Sequence, residues 1–348
     1  MFKVCRILSC NRKEPFVPDT ARGPREESKG DEAEFFSRSF CAPHPVTDCP
    51  PDHFIVGSIT FLHMPIPADQ IRTLHKYELR ILVVIERLMK RYSWVPLEQI
   101  QHAAELSESE TSYRISRLMA AGMVRFNTVP YDGYALVFTG YDALALQSLV
   151  RKGTVSALGS LIGEGKESVV YEALGICPVA IKFHRVGRRS FSAARSKREY
   201  MPEEGHVPWI FASGLSAERE FAALTALQET VSVPLPVARN RHAVVMSLIS
   251  GPNLNRCPLE NPQEMLDDIL ANVRSAYRAG VIHADLSEFN IMVRDGKCVV
   301  IDWPQWVETG HPQADEILTK DLTTILTFFK RKYHIPYSPE DAFGCVTG

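Results

Sequence analysis

The chain contains the segment Ile282-His-Ala-Asp-Leu-Ser-Glu-Phe-Asn290, followed shortly by Val300-Ile-Asp-Trp303. These segments place Asp285 and Asn290 five residues apart and Asp302 twelve residues further on. Phosphoryl transfer needs such a set, because one carboxylate orients the attacking group while an amide and another carboxylate hold Mg²⁺ against the transferring phosphate. The pattern therefore predicts Asp285 as a catalytic carboxylate and Asn290 and Asp302 as catalytic metal ligands.

A lysine that could bind phosphate beside these residues lies upstream, in the strand-forming segment Val179-Ala-Ile-Lys182. Its position predicts that Lys182 binds the α and β phosphates of ATP. A helix is predicted from Ala217 to Leu227, and Glu220 on that helix is the expected ion-pair partner of Lys182, because it shares a side with apolar residues. Glu218 lies on a different side of the helix and is the alternative partner.

The loop Gly163-Glu-Gly-Lys-Glu-Ser168 precedes the lysine strand and joins two predicted strands. Its glycines let the backbone approach phosphates and point N–H groups at them. The loop is not a Walker A motif, because Glu167 stands where Ser or Thr would have to follow the lysine. Alone, the loop is also compatible with a plain glycine hairpin. The phosphate-binding interpretation depends on the strand and the lysine that follow.

The region before the loop has the order helix, helix, helix and β-wing, which is typical of a winged helix. The predicted elements are helices over Ile71–Met89 and Leu97–Glu105, a third helix opened by Ser107 and Glu110 as a capping box, and strands over Met123–Phe126 and Tyr134–Phe138. Arg114 and Arg117 on the third helix and Arg125 at the wing are candidates for nucleic-acid contact. A solvated face or a protein-binding domain is the competing interpretation.

Together these motifs resemble the RIO family of atypical protein kinases, in the type-two subfamily that carries a winged helix. The resemblance covers about Met64 to Tyr337 and has an archaeal-like character. Besides the winged helix, the resemblance rests on the segments Gly165–Ser168, His283–Asn290 and Ile301-Asp-Trp-Pro-Gln305. The last of these stands in place of the usual Asp-Phe-Gly.

The resemblance implies the same roles for Lys182, Asp285, Asn290 and Asp302, with ATP and Mg²⁺ or Mn²⁺ as cofactors. It also implies an adenine hinge from Met246 to Ile249, in which Ser247 stands where relatives usually have Glu. The full expected nucleotide-binding set is Gly163, Glu164, Gly165, Lys166, Glu167, Ser168, Val170, Ala180, Lys182, Met246, Ser247, Ile249 and Ile301.

The expected fold class is α+β, with an N-terminal winged helix-turn-helix followed by a compact, bilobal protein-kinase-like domain. We expect residues 1–63 to be an unstructured or spurious extension ahead of Met64, because that stretch has no sustained period of 3.6 or 2. The winged helix would then occupy residues 64–150 and the kinase domain residues 151–348. Its lobes would divide near residue 250, at about 155–250 and 251–340.

By resemblance, the function is that of an ATP-dependent serine/threonine protein kinase and ATPase in small ribosomal subunit maturation, bound to precursor particles and their RNA. Only 46 residues follow Asp302, which is too few for an ordinary activation segment and peptide platform. One alternative is a small-molecule phosphotransferase of the aminoglycoside or choline type. Another is a nucleic-acid-binding regulator with an inactive kinase domain, against which the complete catalytic set argues.

The bulk composition indicates a globular, cytoplasmic protein with no membrane segment, which we expect to be a monomer. The net charge is −2, 45% of residues are hydrophobic, and no run of apolar residues is long enough to span a membrane. The eight cysteines are expected to stay reduced. A zinc site formed by Cys41, His44, Cys49 and His53 is disfavoured by its proline-rich, irregular spacing.

A basic segment from His184 to Val207 joins the lysine strand to the Glu220 helix, and we expect it to be a mobile loop that contacts RNA phosphates. Its cations are Arg185, Arg188, Arg189, Arg195, Lys197 and Arg198. The family resemblance implies Ser190 as the autophosphorylation site, with Ser192 and Ser196 as alternatives. A solvated loop without function is the competing interpretation.

Overall fold

The computed structural model describes residues 68–186 and 209–348. These residues form an α+β fold, as expected, in which a winged helix precedes a two-lobed kinase-like domain. The helices are α1 Ala68–Arg72, α2 Lys76–Leu88, α3 Leu97–Ala104, α4 Glu108–Ala120, α5 Phe138–Arg151, α6 Trp209–Leu227, α7 Pro262–Arg278, α8 Ala314–Tyr333 and α9 Pro339–Thr347. The strands are β1 Val124–Asn127, β2 Gly133–Leu136, β3 Ala157–Glu164, β4 Ser168–Leu174, β5 Pro178–His184, β6 Pro236–Asn240, β7 Ala243–Ser247, β8 Val281–Ile282, β9 Ile291–Arg294, β10 Lys297–Val300 and β11 Val307–Glu308.

The winged helix consists of α1 to α4, the antiparallel pair β1 and β2, and α5. The single helix predicted over Ile71–Met89 is wrong, because His75 caps a new helix with its side chain while Glu78 bonds back to the His75 N–H. At α4, Ser107 accepts from the N–H of Glu110, but Glu110 binds Arg114 instead of closing a capping box.

Helix α5 was missed by the sequence analysis, which extended the second wing strand to Phe138. The strand ends at Leu136 and the helix begins at Phe138. Eight of its fourteen residues are buried, so its apolar pattern is almost continuous and lacks a clear helical stripe. Three further helices differ from expectation. Helix α6 begins at Trp209 instead of Ala217, α8 begins at Ala314 although the pattern predicts a helix only from about Lys320 to Lys332, and α9 was not anticipated.

A five-stranded antiparallel sheet with the order β3-β4-β5-β7-β6 forms the first lobe of the kinase-like domain. Side chains alternate between the faces of this sheet. Ile181 and Phe183 pack into one buried cluster with the winged helix, whereas Ala180 and Met246 belong to a second cluster with α6 and the following lobe. Both faces of the central strand β5 are therefore covered, one by each neighbouring layer.

The second lobe packs α7, α8 and α9 around the hairpin β9–β10 and the short antiparallel pair β8 and β11. Buried Phe329 and Trp303 are among its largest core side chains. The loop between β8 and β9 and the segment after β10 carry the predicted catalytic residues to the side of this lobe that faces β5.

Candidate active site

Lys182 lies on the α6 side of β5, where it contacts two carboxylates. Its Nζ atom is 2.6 Å from Oε1 of Glu220 and 2.7 Å from Oδ1 of Asp302. Burial opposes the charge on Lys182, but Asp302 and Glu220 together raise the pKa of the amine. Glu218, the alternative partner, is exposed and lies 3.8 Å from Arg239. The expected pair of Lys182 with Glu220 is therefore present.

Glu220 uses both of its carboxylate oxygens. Its Oε2 atom is 2.6 Å from Nε2 of His184, and Oε1 binds Lys182. Burial raises the pKa of this carboxyl, but Lys182 and His184 outweigh burial and hold it down, at about 2. The carboxylate is thus fixed in its ionised form between two residues of the same strand.

The loop from His283 to Asn290 is ordered by its own side chains. Nδ1 of buried His283 accepts from the Asp285 N–H at 3.3 Å, so its Nε2–H donates to the Ile301 carbonyl at 3.0 Å. Burial lowers the pKa of His283, which keeps this ring neutral and able to do both. His283 therefore connects the Asp285 loop to the strand that ends beside Asp302.

Asp321 on α8 is a site residue that the sequence analysis missed. Its Oδ2 atom accepts from the Ala284 N–H at 2.7 Å, and Oδ1 accepts from the Leu286 N–H at 3.1 Å. Ala284 has a φ of 66°, in the left-handed region that non-glycine residues rarely adopt. A signal was available, because Asp321 lies next to Leu322 on the buried side of an amphipathic helix, where an unpaired carboxylate would be costly.

Asn290 and Asp302 lie on adjacent segments. The Asn290 side-chain amide donates to the Asp285 carbonyl at 2.8 Å, and the Ile301 N–H donates to the Asn290 carbonyl at 2.9 Å. Asp302 has a φ of 66° and a side chain that is 39% exposed. An amide oxygen and a carboxylate are the hard oxygen donors that Mg²⁺ prefers, so the chemistry of this pair fits that ion.

An open cleft of about 1550 Å³ connects these residues to the glycine loop. Residues Gly165–Ser168 line one side of it, and Asp285, Asn290 and Asp302 line the other. The loop is held by a hydrogen bond from the Gly165 N–H to the Ser168 carbonyl at 2.9 Å. The structure thus places the predicted phosphate loop, Gly165–Ser168, and the three predicted catalytic residues Asp285, Asn290 and Asp302 around one opening.

The other nucleotide-binding candidates, Lys182 among them, lie on or beside the strands and are not lining residues of that cleft. Ala180 on β5 pairs with Met246 on β7, and Val170 on β4 pairs with Lys182. Ser247 at the end of β7 donates its N–H to the Leu235 carbonyl, and its hydroxyl accepts from the Leu235 N–H. The remaining nucleotide-binding candidates outside the lining are Ile249 at the expected hinge, Ile301 beside Asp302, and Gly163 and Glu164 of the loop.

Comparison with known sequences agrees with this arrangement. A profile of the RIO domain matches residues 168–341, and a profile of the Rio2 N-terminal domain matches residues 71–152. A RIO-type serine/threonine-protein kinase Rio2 from Methanocaldococcus jannaschii is 39% identical over 261 residues, covering 72% of this chain and 95% of the relative. The chain belongs to the Rio2 group of RIO-type serine/threonine-protein kinases.

Other relatives extend the same comparison. A serine/threonine-protein kinase RIO2 from Saccharomyces cerevisiae is 33% identical and covers 80% of this chain and 68% of the relative. The crystal structure of the Rio2 kinase-ADP/Mg²⁺-phosphoaspartate complex from Chaetomium thermophilum matches with a TM-score of 0.70 and 31% identity. That match covers 81% of this chain and 89% of the fungal one. Part of the described chain therefore has the fold of a Rio2 kinase that was crystallised with a nucleotide.

The three winged-helix arginines predicted to contact nucleic acid all have interaction partners within the protein. Buried Glu78 binds Arg117 at 2.6 Å and Arg114 at 3.5 Å, and Arg114 also pairs with Glu110. Arg125 stacks over the ring of Trp94 at 4.8 Å. Of the two arginines on α4, only Arg117 has a largely exposed side chain, at 52%. Nucleic-acid contact by these residues remains a prediction.

Several other expectations concern residues outside the described ranges. Ser190, Ser192 and Ser196 lie between residues 186 and 209, as does most of the basic segment. The zinc candidates Cys41, His44, Cys49 and His53 and the whole 1–63 extension precede the described part. Among the helices that the structure describes, none is long and apolar enough to cross a membrane.

Proposed function

We propose that this chain is an ATP- and Mg²⁺-dependent serine/threonine protein kinase with ATPase activity that acts in maturation of the small ribosomal subunit. The observation that carries the catalytic part is the position of Lys182, bonded to both Glu220 and Asp302 beside a cleft that also contains Asp285 and Asn290. This is the residue set that phosphoryl transfer requires, assembled from three separate parts of the chain.

In the kinase reaction, Lys182 neutralises charge on the phosphates while the Gly165–Ser168 loop covers them. Asp285 accepts the proton of a serine or threonine hydroxyl as its oxygen bonds to the γ-phosphorus. The bond between the γ-phosphorus and the β–γ bridging oxygen breaks, and ADP leaves. Asn290 and Asp302 would hold magnesium, which neutralises charge that develops on the transferred group.

The same site supports a second acceptor, a carboxylate oxygen of Asp302 itself. That oxygen would bond to the γ-phosphorus as ADP leaves, and water would then attack the phosphorus and release phosphate and the free carboxylate. The fungal Rio2 kinase was crystallised as an ADP/Mg²⁺-phosphoaspartate complex, which supports this route for a relative. Here Asp302 is partly exposed and lines the cleft, so its carboxylate is accessible to a bound nucleotide.

The catalytic proposal is tested with γ-labelled ATP and the Asp302→Asn variant. Turnover should fall by about 100-fold or more, because the lost charge matters most in the transition state. Asp295→Asn is the matched control, since Asp295 is exposed in the β9–β10 turn. Label that hydroxylamine removes from wild-type protein would support the aspartyl phosphate, and label confined to hydroxylamine-resistant serine would leave only the kinase route. Wild-type turnover in Asp302→Asn would overturn the assignment.

The ribosomal part of the proposal rests on the family resemblance and the winged helix. We infer a cytoplasmic monomer that binds a precursor of the small subunit and its RNA, with exposed Arg117 among the contacts, and that leaves when ATP is turned over. The tagged protein should sediment with such particles, and added ATP should release the wild-type protein but not Asp302→Asn. Failure to co-sediment would refute this role while leaving the enzyme assignment intact.

Neither alternative function is favoured by a specific observation. Membership of the Rio2 group argues against an aminoglycoside- or choline-type phosphotransferase. An inactive regulator would have no need for the contacts that Lys182, Glu220 and Asp302 make with one another.

A further inference from the structure

A buried carboxylate joins the winged helix to the kinase-like domain. Asp142 on α5 is 1% exposed, and its two oxygens bind different residues of the other domain. Oδ2 is 2.6 Å from Nη2 of Arg185, directly after β5, and Oδ1 is 2.7 Å from Nε2 of His242, between β6 and β7. A carboxylate buried this deeply is stable only because both oxygens are paired.

One turn of α5 supplies the surroundings of this pair. Tyr141 stacks on the His242 ring at 4.2 Å, and the Phe138 ring lies 5.4 Å from the Arg185 guanidinium. Arg185 and His242 are therefore held by three side chains of the winged helix that lie within five positions of the sequence. Burial lowers the pKa of His242, so this ring is neutral and donates its Nε2–H to Asp142.

Arg185 also connects directly to the nucleotide site. Its backbone N–H donates to the Glu167 carbonyl at 2.6 Å, in the loop that lines the cleft. The residue before it, His184, binds Glu220, and Lys182 lies two positions earlier on the same strand. Because side chains alternate along a strand, Arg185 faces the winged helix while His184 and Lys182 face α6.

We propose that Asp142 is a positioning residue for the nucleotide site. By holding Arg185, it fixes the end of β5, and with it the Glu167 carbonyl of the phosphate loop and the His184 contact to Glu220. The winged helix is thus part of the apparatus that binds ATP, and a macromolecule seated on it can alter nucleotide affinity through this carboxylate. The inference rests on the ATP chemistry of the proposed function.

A second ion pair provides a matched control. Glu86 on α2 binds Arg241 through both oxygens, at 2.7 and 2.8 Å, and so joins the same two domains. Arg241 also contacts the Leu144 carbonyl and the Ser148 hydroxyl, both on α5. None of the hydrogen bonds described for this pair reaches the end of β5 or the phosphate loop. Glu86→Gln therefore loosens the domain contact without acting on the nucleotide site.

The experiment compares Asp142→Asn, Glu86→Gln and wild-type full-length protein for ATP KM, kcat and melting temperature. Asp142→Asn should raise the KM for ATP on the order of tenfold, a change within the range for a residue that couples two sites. The same variant should change kcat less than about twofold. Glu86→Gln should lower the melting temperature and leave the KM for ATP unchanged. An unchanged KM in Asp142→Asn, or an equal rise in Glu86→Gln, would overturn the proposal.

Two further measurements keep the test decisive. Hydrogen exchange of the Arg185 amide in nucleotide-free protein should be faster in Asp142→Asn than in Glu86→Gln, and equal protection would refute the proposal without reference to ATP. If Asp142→Asn does not fold, Arg185→Lys keeps the charge, loses the Nη2 contact to Asp142 and should raise the KM in the same way; a wild-type KM in this variant would count as refutation. Failure of the proposed function would appear in wild-type protein, as absence of nucleotide binding.

Discussion

Replacing Asp321 by Asn tests how the loop around Asp285 is held in position. Asp321 accepts hydrogen bonds from the N–H groups of Ala284 and Leu286, which flank Asp285 on both sides. Asn has one acceptor oxygen, so one of these N–H groups would face an NH₂ group. The substitution changes no atom of the site that contacts substrate, and its effect on turnover must therefore come through the position of the loop.

The magnitude follows from the bond that is lost. A hydrogen bond to a charged group contributes about 1.5–3 kcal/mol. Ala284 has a left-handed backbone, a conformation that costs about 1–3 kcal/mol and persists only when surrounding contacts enforce it. If the whole free energy of the lost hydrogen bond serves to position Asp285 in the transition state, kcat falls roughly 10- to 150-fold, because 1.36 kcal/mol corresponds to tenfold.

The assay is steady-state turnover of γ-labelled ATP, with nucleotide affinity measured separately on the same preparation. Asp321→Asn should lower kcat and leave the KM for ATP within about threefold, since the phosphate loop and Lys182 do not contact Asp321. Asp315→Asn is the matched control, because Asp315 lies on the same helix and is exposed. A kcat within twofold of wild type for folded Asp321→Asn would refute the role assigned to this carboxylate.

The remaining predictions concern stability and the extension. The pKa of Glu220 is held at about 2, below its ordinary 4.5, so its ion pairs stabilise the fold above pH 4.5 and this stability is lost as pH falls towards 2; urea titrations of Glu220→Gln should lack that acid loss. Burial raises the pKa of Asp321 from 3.8 to about 6, so unfolding free energy should fall as pH rises between those values, and Asp321→Asn should lack this decrease. Phe329→Ala should lower the free energy of unfolding by about 3–5 kcal/mol in urea titrations, because the ring is fully buried. Deleting residues 1–63 should leave the melting temperature and ATPase rate unchanged; a truncated protein that unfolds would contradict this.

The sequence was most informative where the chemistry depends on the order of residue types. Asp285, Asn290 and Asp302 lie within eighteen positions, and their spacing could be interpreted without any knowledge of packing. The strand that carries Lys182 and the helix that carries Glu220 were also found, because each has a regular apolar pattern. The same signal failed at α5, where burial on nearly all sides removes the contrast between faces on which a helix assignment depends.

Apart from the pairing of Lys182 with Glu220, which its helix position predicted, the long-range contacts of these elements could not be obtained from the sequence. Lys182 meets Glu220 across 38 positions and Asp302 across 120, and only the packing of β5 against α6 and the second lobe brings them together. In the sequence, Asp142 and Asp321 resemble ordinary acidic residues of a helix. In the structure both are buried, Asp321 against backbone N–H donors and Asp142 against side-chain donors. The residue types of the active site were thus determined locally by the sequence. The residues that hold it in place were decided by tertiary packing, because burial turns a carboxylate from a solvated surface group into one that must be paired.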